Sequence, residues 1–426
     1  MTQRRALHFA GRIVVQLSTD MVDRVKEEIL PTRFHKQHAR PRRWGIDTLD
    51  EALRSAGVHS IRRLFRRGSA EAALHGFYVV RFHPGYGVRR LQAALQSRRG
   101  VTSASPDFCR SLLASGAGAP VPMQSVLNAV AWPSDVALDS ALPRPLVAVI
   151  DTGVQIGPFH PVLAQNTEVL RDTVDLLMDL PPSGFDWDSA DLSAPDDEPQ
   201  DEIGHGTHVA AMILGSPQST FCGVAPRARL LAIRALAPTR RISDGVVSAF
   251  GSASNVAAAI DFASSRGAAV INMSFGFPRL SPIERAAITR ASQRGCVLVA
   301  AIGNSGEDAS NLFPSRYPQV IAVGAVDLAG NRLPISQTGS HLHVVAPGDS
   351  ITSAALNSGF SARSGTSMAA AVVSGVAALM KSVRPQITPV ELSELLRQTA
   401  HPGTVHNDRV GWGRIDAAAA VQAARG

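Results

Sequence analysis

The sequence has few cysteines, few aromatic residues and no long apolar segment. Only Cys109, Cys222 and Cys296 occur in 426 residues, and none stands in a metal-binding or redox spacing. An odd number of cysteines cannot pair completely within one chain, which excludes a disulfide framework and predicts core or surface thiols. No apolar run approaches the roughly 20 residues that a membrane-spanning helix requires, so no membrane partner is expected.

The composition is that of a globular chain with an uneven charge distribution. The chain is 45% hydrophobic and 18% charged, and it is long enough for more than one domain. Residues 1–110 hold 21 of the 42 Lys and Arg residues but only 9 of the 35 Asp and Glu residues, which gives them a net charge of +12 against −5 for the remainder. This asymmetry indicates either nucleic-acid binding or association of the two parts with each other.

Two features of the N-terminal part bear on its partners and its compartment. Its arginines are scattered, few of the aromatic residues (5% of the chain) lie among them, and no nucleic-acid-binding motif occurs, so no nucleic-acid partner is expected. Residues 1–12 begin with an arginine pair, but His8 and Arg12 interrupt any apolar core of a signal peptide. The sequence therefore predicts a cytoplasmic protein, unless the start is misassigned or export uses another route.

The stretch 363–380 predicts a helix that is buried on every side. It is rich in Ala, Gly, Val and Ser and carries no charge after Arg363 until its end, and its small residues indicate that other elements approach closely. The triplet Gly365-Thr366-Ser367 places a hydroxyl at the helix start, where free backbone N–H groups and the helix dipole favour negative charge. Taken alone, such a serine is more often a helix cap than a nucleophile.

Two further segments each place a side chain that can take part in catalysis at the edge of an apolar element. The apolar run Leu146–Ile150 predicts a buried strand that ends in Asp151, and His205 opens a second helix of small residues. Aspartate, histidine and serine in this chain order form one of the known arrangements of a hydrolytic triad. The motifs Asp151-Thr-Gly, His205-Gly-Thr-His and Gly365-Thr-Ser367-Met-Ala closely resemble the three signatures of subtilisin-like serine peptidases.

This resemblance implies an α/β fold and a serine endopeptidase activity. The expected fold is a doubly wound parallel sheet with helices on both faces, preceded by a small α+β domain. In the expected mechanism Ser367 attacks the peptide carbonyl, His205 acts as base and then as acid, and Asp151 orients the imidazole. His208, the second histidine of its motif and one turn further on, is expected to face helix packing and not the chemistry. The alternative is an inactive pseudoprotease that only binds peptides, but the intact triad argues against it.

The same resemblance implies an oxyanion site and a substrate groove. Asn304 follows the predicted strand Val297–Ala301 among glycines; it is either a turn residue or the oxyanion donor that the family places there, together with the Ser367 backbone N–H. Substrate is expected to bind by strand addition to Ser274, Phe275 and Gly276, with Gly303 lining the groove, although Phe275 could equally be a core residue. The stretch 313–320 resembles the segment flanking the family's specificity pocket, which predicts a cis Phe313–Pro314 bond.

The N-terminal part resembles the propeptides of subtilisin-like peptidases. Its predicted order of strand, helix and strand is that of a small α+β sandwich, with a clear strand at Phe77–Phe82 and an amphipathic helix from Val88. The predicted organisation is therefore an inhibitory domain over 1–108, a Gly/Pro-rich linker and entry segment over 109–135, and a catalytic domain over 136–426. The expected partners are polypeptide substrates and the chain's own N-terminal domain as an intramolecular inhibitor.

No cofactor is required by the expected chemistry, and the sequence assigns no metal ligand. The stretch 185–201 is acidic, which is compatible either with a solvated loop or with a structural calcium ion, since hard cations take carboxylate oxygens. Its spacing matches no defined calcium loop. Residues 215–220, where the family often carries a calcium loop, lack the asparagine-rich pattern. The natural substrate is left open.

Overall fold

The computed structural model describes residues 8–22, 47–65, 76–112, 118–155, 163, 167–174, 181–189, 198–216 and 221–426. Ser18 or Thr19, as a possible helix cap, predicts a helix that ends near Leu30, before Pro31. The structure describes its first turn, Thr19–Val22, and residues 23–46 lie outside the described residues. Residues 190–197 of the acidic stretch 185–201 and residues 217–220 lie outside them as well.

The described strands, in chain order, are β1 (His8–Leu17), β2 (Ser60–Arg63), β3 (Phe77–Arg81), β4 (Val101–Leu112), β5 (Leu146–Asp151), β6 (Thr167–Asp172), β7 (Phe185–Trp187), β8 (Arg229–Arg234), β9 (Ala237–Arg241), β10 (Val247–Ser252), β11 (Val270–Met273), β12 (Phe275–Gly276), β13 (Val297–Ala301), β14 (Val320–Val326), β15 (Leu342–Pro347), β16 (Ile351–Ala354), β17 (Phe360–Arg363), β18 (His401–Asn407) and β19 (Gly411–Arg414). The described α-helices are α1 (Thr19–Val22), α2 (Asp47–Ser55), α3 (Val88–Gln96), α4 (Met123–Ala129), α5 (Ser134–Ala137), α6 (His205–Leu214), α7 (Ala253–Ser265), α8 (Pro282–Gln293), α9 (Thr366–Val383), α10 (Pro389–Thr399) and α11 (Ala417–Arg425).

The larger sheet has the order β18-β19-β15-β14-β13-β11-β5-β8-β6. All neighbouring pairs are parallel except β18 with β19, which is antiparallel. This confirms the predicted doubly wound α/β fold. Thr388 and Glu391 form a capping box at the start of α10.

Successive residues of the central strands point into two separate cores, which explains why these strands are apolar throughout. In β5, Val147 and Val149 belong to the core that contains α6 and α9, whereas Ala148 and Ile150 belong to the core beneath α7 and α8. A parallel sheet covered by helices on both faces leaves no polar face, so its strands show no alternation of polar and apolar residues. Helices therefore cover both faces, as the sequence predicts.

The Ser367 helix, α9, runs through the first of these cores. Nearly all its residues are buried, and Gly375 is needed there because a Cβ would lie 2.4 Å from the Cβ of Val224. It is the one described helix long and apolar enough to cross a membrane, but 94% of it is buried in protein, which identifies it as a core helix. The three cysteines are free thiols, as predicted.

The N-terminal residues form a small α+β unit with its own apolar core. Its strands pair in the order β2-β3-β1-β4, and α2 and α3 cover one face. The other face carries Val14, Phe65 and Phe77 into the core shared with α7 and α8. Residues 109–112, where the sequence predicts the start of a linker, instead belong to β4, because there this strand pairs with β10 and β12.

Candidate active site

The predicted site residues lie at the carboxyl ends of neighbouring parallel strands. Asp151 ends β5, Ser274 follows β11, and Gly303 and Asn304 follow β13. The strands β13, β11 and β5 are adjacent in the sheet, so their ends meet at one edge. Ligands of open α/β sheets bind at this edge.

Asp151 and His205 form a buried hydrogen-bonded pair. The Nδ1 atom of His205 lies 2.7 Å from Oδ1 of Asp151, and the two side chains are at most 1% exposed. The backbone N–H of Thr152 also donates to this Oδ1 at 2.8 Å. The helix can approach the strand this closely because residue 206 is glycine; a Cβ there would lie 2.0 Å from the carbonyl oxygen of Gly153. With its Nδ1–H held by the carboxylate, the imidazole presents Nε2 as its second nitrogen.

Asp201 fixes the start of α6 and hence the position of His205. Its Oδ1 accepts hydrogen bonds from the backbone N–H groups of Ile203 and Gly204, and its Oδ2 accepts from the N–H and hydroxyl of Thr207. Its Oδ1 also accepts the hydroxyl of Thr152, next to Asp151. Burial raises the pKa of Asp201 above its usual value. The sequence shows this aspartate only as the end of an acidic loop, so its role was not predicted.

Ser367 lies at the first turn of α9 and is bonded to the segment that follows β11. Its hydroxyl donates to the carbonyl oxygen of Ser274 at 3.2 Å, and the Ser274 hydroxyl donates to the carbonyl oxygen of Ser367 at 3.2 Å. The amide of Asn272 donates to Ser274 at 3.0 Å and accepts from Ser374 at 2.9 Å. Among the described residues, Nε2 of His205 accepts no hydrogen bond. The Ser367 hydroxyl thus points toward Ser274 and not toward His205.

The side-chain oxygen of Asn304 is held by the residue that precedes Ser367. It accepts the backbone N–H of Thr366 at 2.9 Å and the Thr366 hydroxyl at 2.8 Å. The Thr366 hydroxyl in turn accepts the backbone N–H of Gly303 at 3.2 Å. A side-chain amide carries its acceptor and its donors on opposite sides, so fixing the oxygen also fixes the direction of the N–H groups.

The predicted groove residues occupy two different environments. Gly303 has φ +117°, and a Cβ there would overlap the side-chain oxygen of Gln337, so only glycine fits. Phe275 and Gly276 form the short strand β12, whose backbone pairs with β4. The Phe275 side chain is fully buried in the core shared with Phe313 and Tyr317. Of the two interpretations that the sequence left open for Phe275, its side chain therefore has the position of a core residue.

His208 takes part in the packing of its helix and not in the chemistry, as predicted, and its side chain contacts β16 and β17. Its Nε2 donates to the carbonyl oxygens of Ile351 at 3.1 Å and Ser361 at 3.2 Å. Burial, together with the nearby charges of Arg363 and His205, lowers the pKa of His208 to about 3. This histidine is therefore neutral and structural. The Phe313–Pro314 bond is cis, as predicted, and His401–Pro402 is cis as well.

Two of the described acidic side chains of the stretch 185–201 are held by donors of the protein itself. Asp188 pairs with Arg240 at 2.9 Å, and Asp201 is surrounded by hydrogen-bond donors. Throughout the described ranges, no group of three or more His, Cys, Asp or Glu side chains lies close enough together to hold a metal ion.

Comparison with known proteins places this site in a family. The model of the Subtilase family matches residues 144–413, which is more than half of the chain, so the chain belongs to the subtilase family. It is 39% identical over 202 residues to subtilisin Savinase of Lederbergia lenta, covering 47% of this chain and 71% of that one. It is 38% identical over 224 residues to M-protease of Shouchella clausii (strain KSM-K16), and the match covers 52% of this chain and 56% of M-protease. The chain thus spans just over half the length of M-protease.

Solved structures show the same fold. Fervidolysin of Fervidobacterium pennivorans, a keratinolytic enzyme related to subtilisin, superposes with a TM-score of 0.72 over 98% of this chain and 62% of that one, at 22% identity. A protease of Pseudoalteromonas arctica PAMC 21717 matches with a TM-score of 0.57 over 69% of this chain and 94% of that one, at 29% identity. The fervidolysin match extends over the N-terminal unit as well as the rest of the chain.

Proposed function

We propose that the protein is a serine endopeptidase made as a self-inhibited precursor. The observation that carries this proposal is the buried Asp151–His205 pair at 2.7 Å, at the sheet edge that also holds Asn304 and the start of the Ser367 helix. Amide hydrolysis needs an activated nucleophile, a base that later becomes an acid, and donors for the oxyanion. Each of these groups is present on a different, rigid element.

In the first half of the reaction, the Ser367 hydroxyl turns from Ser274 toward Nε2 of His205. Its oxygen attacks the peptide carbonyl carbon while Nε2 takes the hydroxyl proton, and Asp151 stabilises the resulting imidazolium. The carbon–nitrogen bond then breaks, and the proton on Nε2 passes to the leaving amine. In the second half, His205 takes a proton from water and the resulting hydroxide attacks the acyl carbon. The ester bond then breaks, and the proton on Nε2 returns to the Ser367 oxygen.

The tetrahedral intermediates require donors for their oxyanion. The Nδ2 group of Asn304 supplies one, because Thr366 holds the amide oxygen away from the substrate. The backbone N–H of Ser367, in the first turn of α9, supplies the other, and the dipole of that helix adds to the effect. Removing one such donor lowers kcat by roughly 10²–10³.

The self-inhibition is supported by the position of β4. This strand lies between β10 and β12, with Ser111 opposite both Phe250 and Gly276. The backbone edge proposed to bind substrate is thus occupied by the chain's own N-terminal unit. We therefore place the inhibitory domain at residues 1 to about 112, followed by a connecting segment to about residue 135 and the catalytic domain. The linked arrangement gives the inhibitor a high effective concentration.

Polar contacts fix the N-terminal unit on helix α7. The Asp107 carboxylate accepts the backbone N–H of Ser254 at 3.0 Å and its hydroxyl at 2.6 Å, in the first turn of the helix. Arg12 pairs with Asp107 at 3.0 Å and donates to Ser254 at 2.6 Å. A carboxylate at a helix N-terminus is favoured by the free N–H groups and the dipole. Removal of this unit would require cleavage after β4.

The decisive experiment compares the wild-type protein with Ser367→Ala on a denatured protein substrate. We expect the substitution to lower kcat by on the order of 10⁶. The exposed Ser305→Ala is the matched control and should retain activity. A phosphonylating reagent should label the wild-type protein but not the Ser367→Ala form, and N-terminal sequencing should find a processed chain only in the wild type.

Residual activity above a few per cent in Ser367→Ala would contradict the proposal, and peptide binding without cleavage by the wild type would favour a pseudoprotease.

A further inference from the structure

Arg110, on the inhibitory strand β4, is held by a buried carboxylate of the catalytic part. Its Nε donates to Oε1 of Glu284 at 2.7 Å, and one terminal nitrogen donates to Oε2 at 2.6 Å. Both side chains are 0% exposed. The hydroxyl of Tyr317 donates to Oε2 of Glu284 at 3.0 Å, so the carboxylate is oriented from a second side. Glu284 lies in the first turn of α8, where the helix dipole favours a negative charge.

The backbone of β4 around Arg110 lies where a substrate would lie. Arg110 is opposite Gly251 of β10, and Leu112 is opposite Phe275 of β12. Consider a peptide that replaces β4 in the same antiparallel register and has an arginine at the position of Arg110. The residue three positions after that arginine then lies opposite Ser274. The carbonyl oxygen of Ser274 accepts the Ser367 hydroxyl, so that residue carries the carbonyl that Ser367 attacks. The arginine is then the fourth residue before the cleaved bond.

We propose that the pocket occupied by Arg110 is a substrate subsite that selects arginine at the fourth position before the cleaved bond, and that Glu284 determines this selectivity. This inference rests on the proposed function. When β4 leaves, Glu284 is a carboxylate in a buried pocket that has lost its guanidinium. A substrate with arginine at this position restores both hydrogen bonds, whereas an apolar side chain leaves the carboxylate unpaired.

Physical chemistry ranks the side chains that the pocket accepts. Arginine makes two parallel hydrogen bonds to a carboxylate, and its terminal nitrogen also reaches the carbonyl oxygen of Arg279 at 3.3 Å. Lysine brings the same charge but a single point donor, so it should bind more weakly than arginine. Glutamate should be rejected, because two buried carboxylates would face each other. Arginine should exceed alanine in kcat/KM by about 100-fold, and lysine should fall in between.

The first test uses the purified full-length wild-type protein, allowed to mature, and a library of peptides from a digested proteome. The expected result is enrichment of arginine at the fourth position before the cleaved bonds. Cleavage with no preference at this position would overturn the inference while leaving the proposed function intact. Absence of cleavage of every peptide would overturn both.

The second test measures kcat/KM on quenched fluorescent peptides that differ only in arginine, lysine, alanine or glutamate at this position. Glu284→Gln should lower the ratio of arginine to alanine at least tenfold. The exposed Glu307→Gln, a carboxylate close in sequence to Asn304, is the matched control and should leave the ratio unchanged. If Glu284→Gln does not fold, Tyr317→Phe, which removes the hydroxyl that orients Glu284, should lower the ratio by a smaller factor. A ratio that falls only with Glu307→Gln would assign the selectivity elsewhere.

Discussion

Thr366 donates two hydrogen bonds to the side-chain oxygen of Asn304, one from its backbone N–H and one from its hydroxyl. The residue before the proposed nucleophile therefore orients the proposed oxyanion donor. Since Thr366 also begins helix α9, the two donors of the oxyanion site are linked through one rigid element. Preorganised donors of this kind stabilise the transition state without having to rearrange during the reaction.

This relationship predicts a graded loss of activity. Asn304→Ala should lower kcat by roughly 10²–10³ with little change in KM, because the donor acts mainly on the oxyanion. Thr366→Val keeps the shape and the backbone N–H but removes the hydroxyl, so kcat should fall by about tenfold. Thr366→Ser keeps both donors and is the control. Steady-state kinetics on one peptide substrate measures all three. A larger loss of kcat in Thr366→Val than in Asn304→Ala would contradict the proposal that Thr366 acts by orienting Asn304.

Asp201 should contribute to both stability and activity. Replacing it by alanine leaves buried N–H groups at the start of α6 without their acceptor, which should lower the free energy of unfolding by about 2–4 kcal/mol. Because His205 is the first residue of that helix, kcat should fall as well. Chemical denaturation in a Ser367→Ala background, which prevents autolysis, measures the first effect, and kinetics with an intact Ser367 measures the second. The same change at the exposed Asp135 should cost less than about 1 kcal/mol.

His208 should make the protein less stable in acid. The folded chain keeps this histidine neutral, with a pKa of about 3, whereas the unfolded chain protonates it below about 6.5. The unfolded state therefore binds more protons in this window, and stability falls as the pH drops from about 6.5 toward 3. His208→Gln keeps a donor for the Ile351 and Ser361 carbonyl oxygens but does not titrate. Between pH 7 and 4.5 it should lose roughly 2–3 kcal/mol less than the parent protein, measured by denaturation in the Ser367→Ala background.

An equal loss in the parent and in His208→Gln would show that His208 is not the group that titrates. Other groups with shifted pKa values, among them His341 and Asp201, contribute to the pH dependence and are the same in both proteins. Burial lowers the pKa of His341 to about 4, which adds to the acid sensitivity. Burial raises the pKa of Asp201, so the folded state favours the protonated carboxyl. The contribution of Asp201 to stability therefore rises as the pH falls, which is opposite to the contribution of His208. The difference between the two proteins isolates His208.

The sequence predicts those parts of the molecule that depend on local pattern. The apolar runs of β5 and β13 and the small residues of α9 were enough to place the sheet and the residues at its edge. The contacts of Glu284 and Asp201 were not predictable in this way. Glu284 is 174 positions from Arg110 in the sequence. No local sequence pattern predicts this ion pair, because it forms only when the N-terminal unit packs against the rest of the chain. The end of β4 was missed for the same reason, because its last residues are held by strands far along the chain.

The last prediction concerns inhibition by the N-terminal unit when it is supplied as a separate chain. A fragment of residues 1–112, which includes all of β4, should inhibit and help refold a fragment of residues 118–426. Asp107→Ala in the first fragment should raise the inhibition constant by roughly 30-fold or more, because Ser254 and Arg12 lose a buried partner. The exposed Glu51→Gln is the matched control and should have little effect.

The salt dependence of this inhibition distinguishes buried contacts from surface charge. The +12 and −5 net charges of the two parts attract each other through solvent, and salt screens that attraction beyond about 10 Å at 0.1 M. The pairs Arg110–Glu284 and Arg12–Asp107 are almost fully buried, so salt screens them much less. Added salt should therefore slow association while leaving the dissociation rate nearly unchanged, as measured by stopped-flow and competition experiments. A dissociation rate that rises steeply with salt would assign the docking to surface charge, and a fragment that neither inhibits nor assists refolding would show that residues 1–112 are not an inhibitory domain.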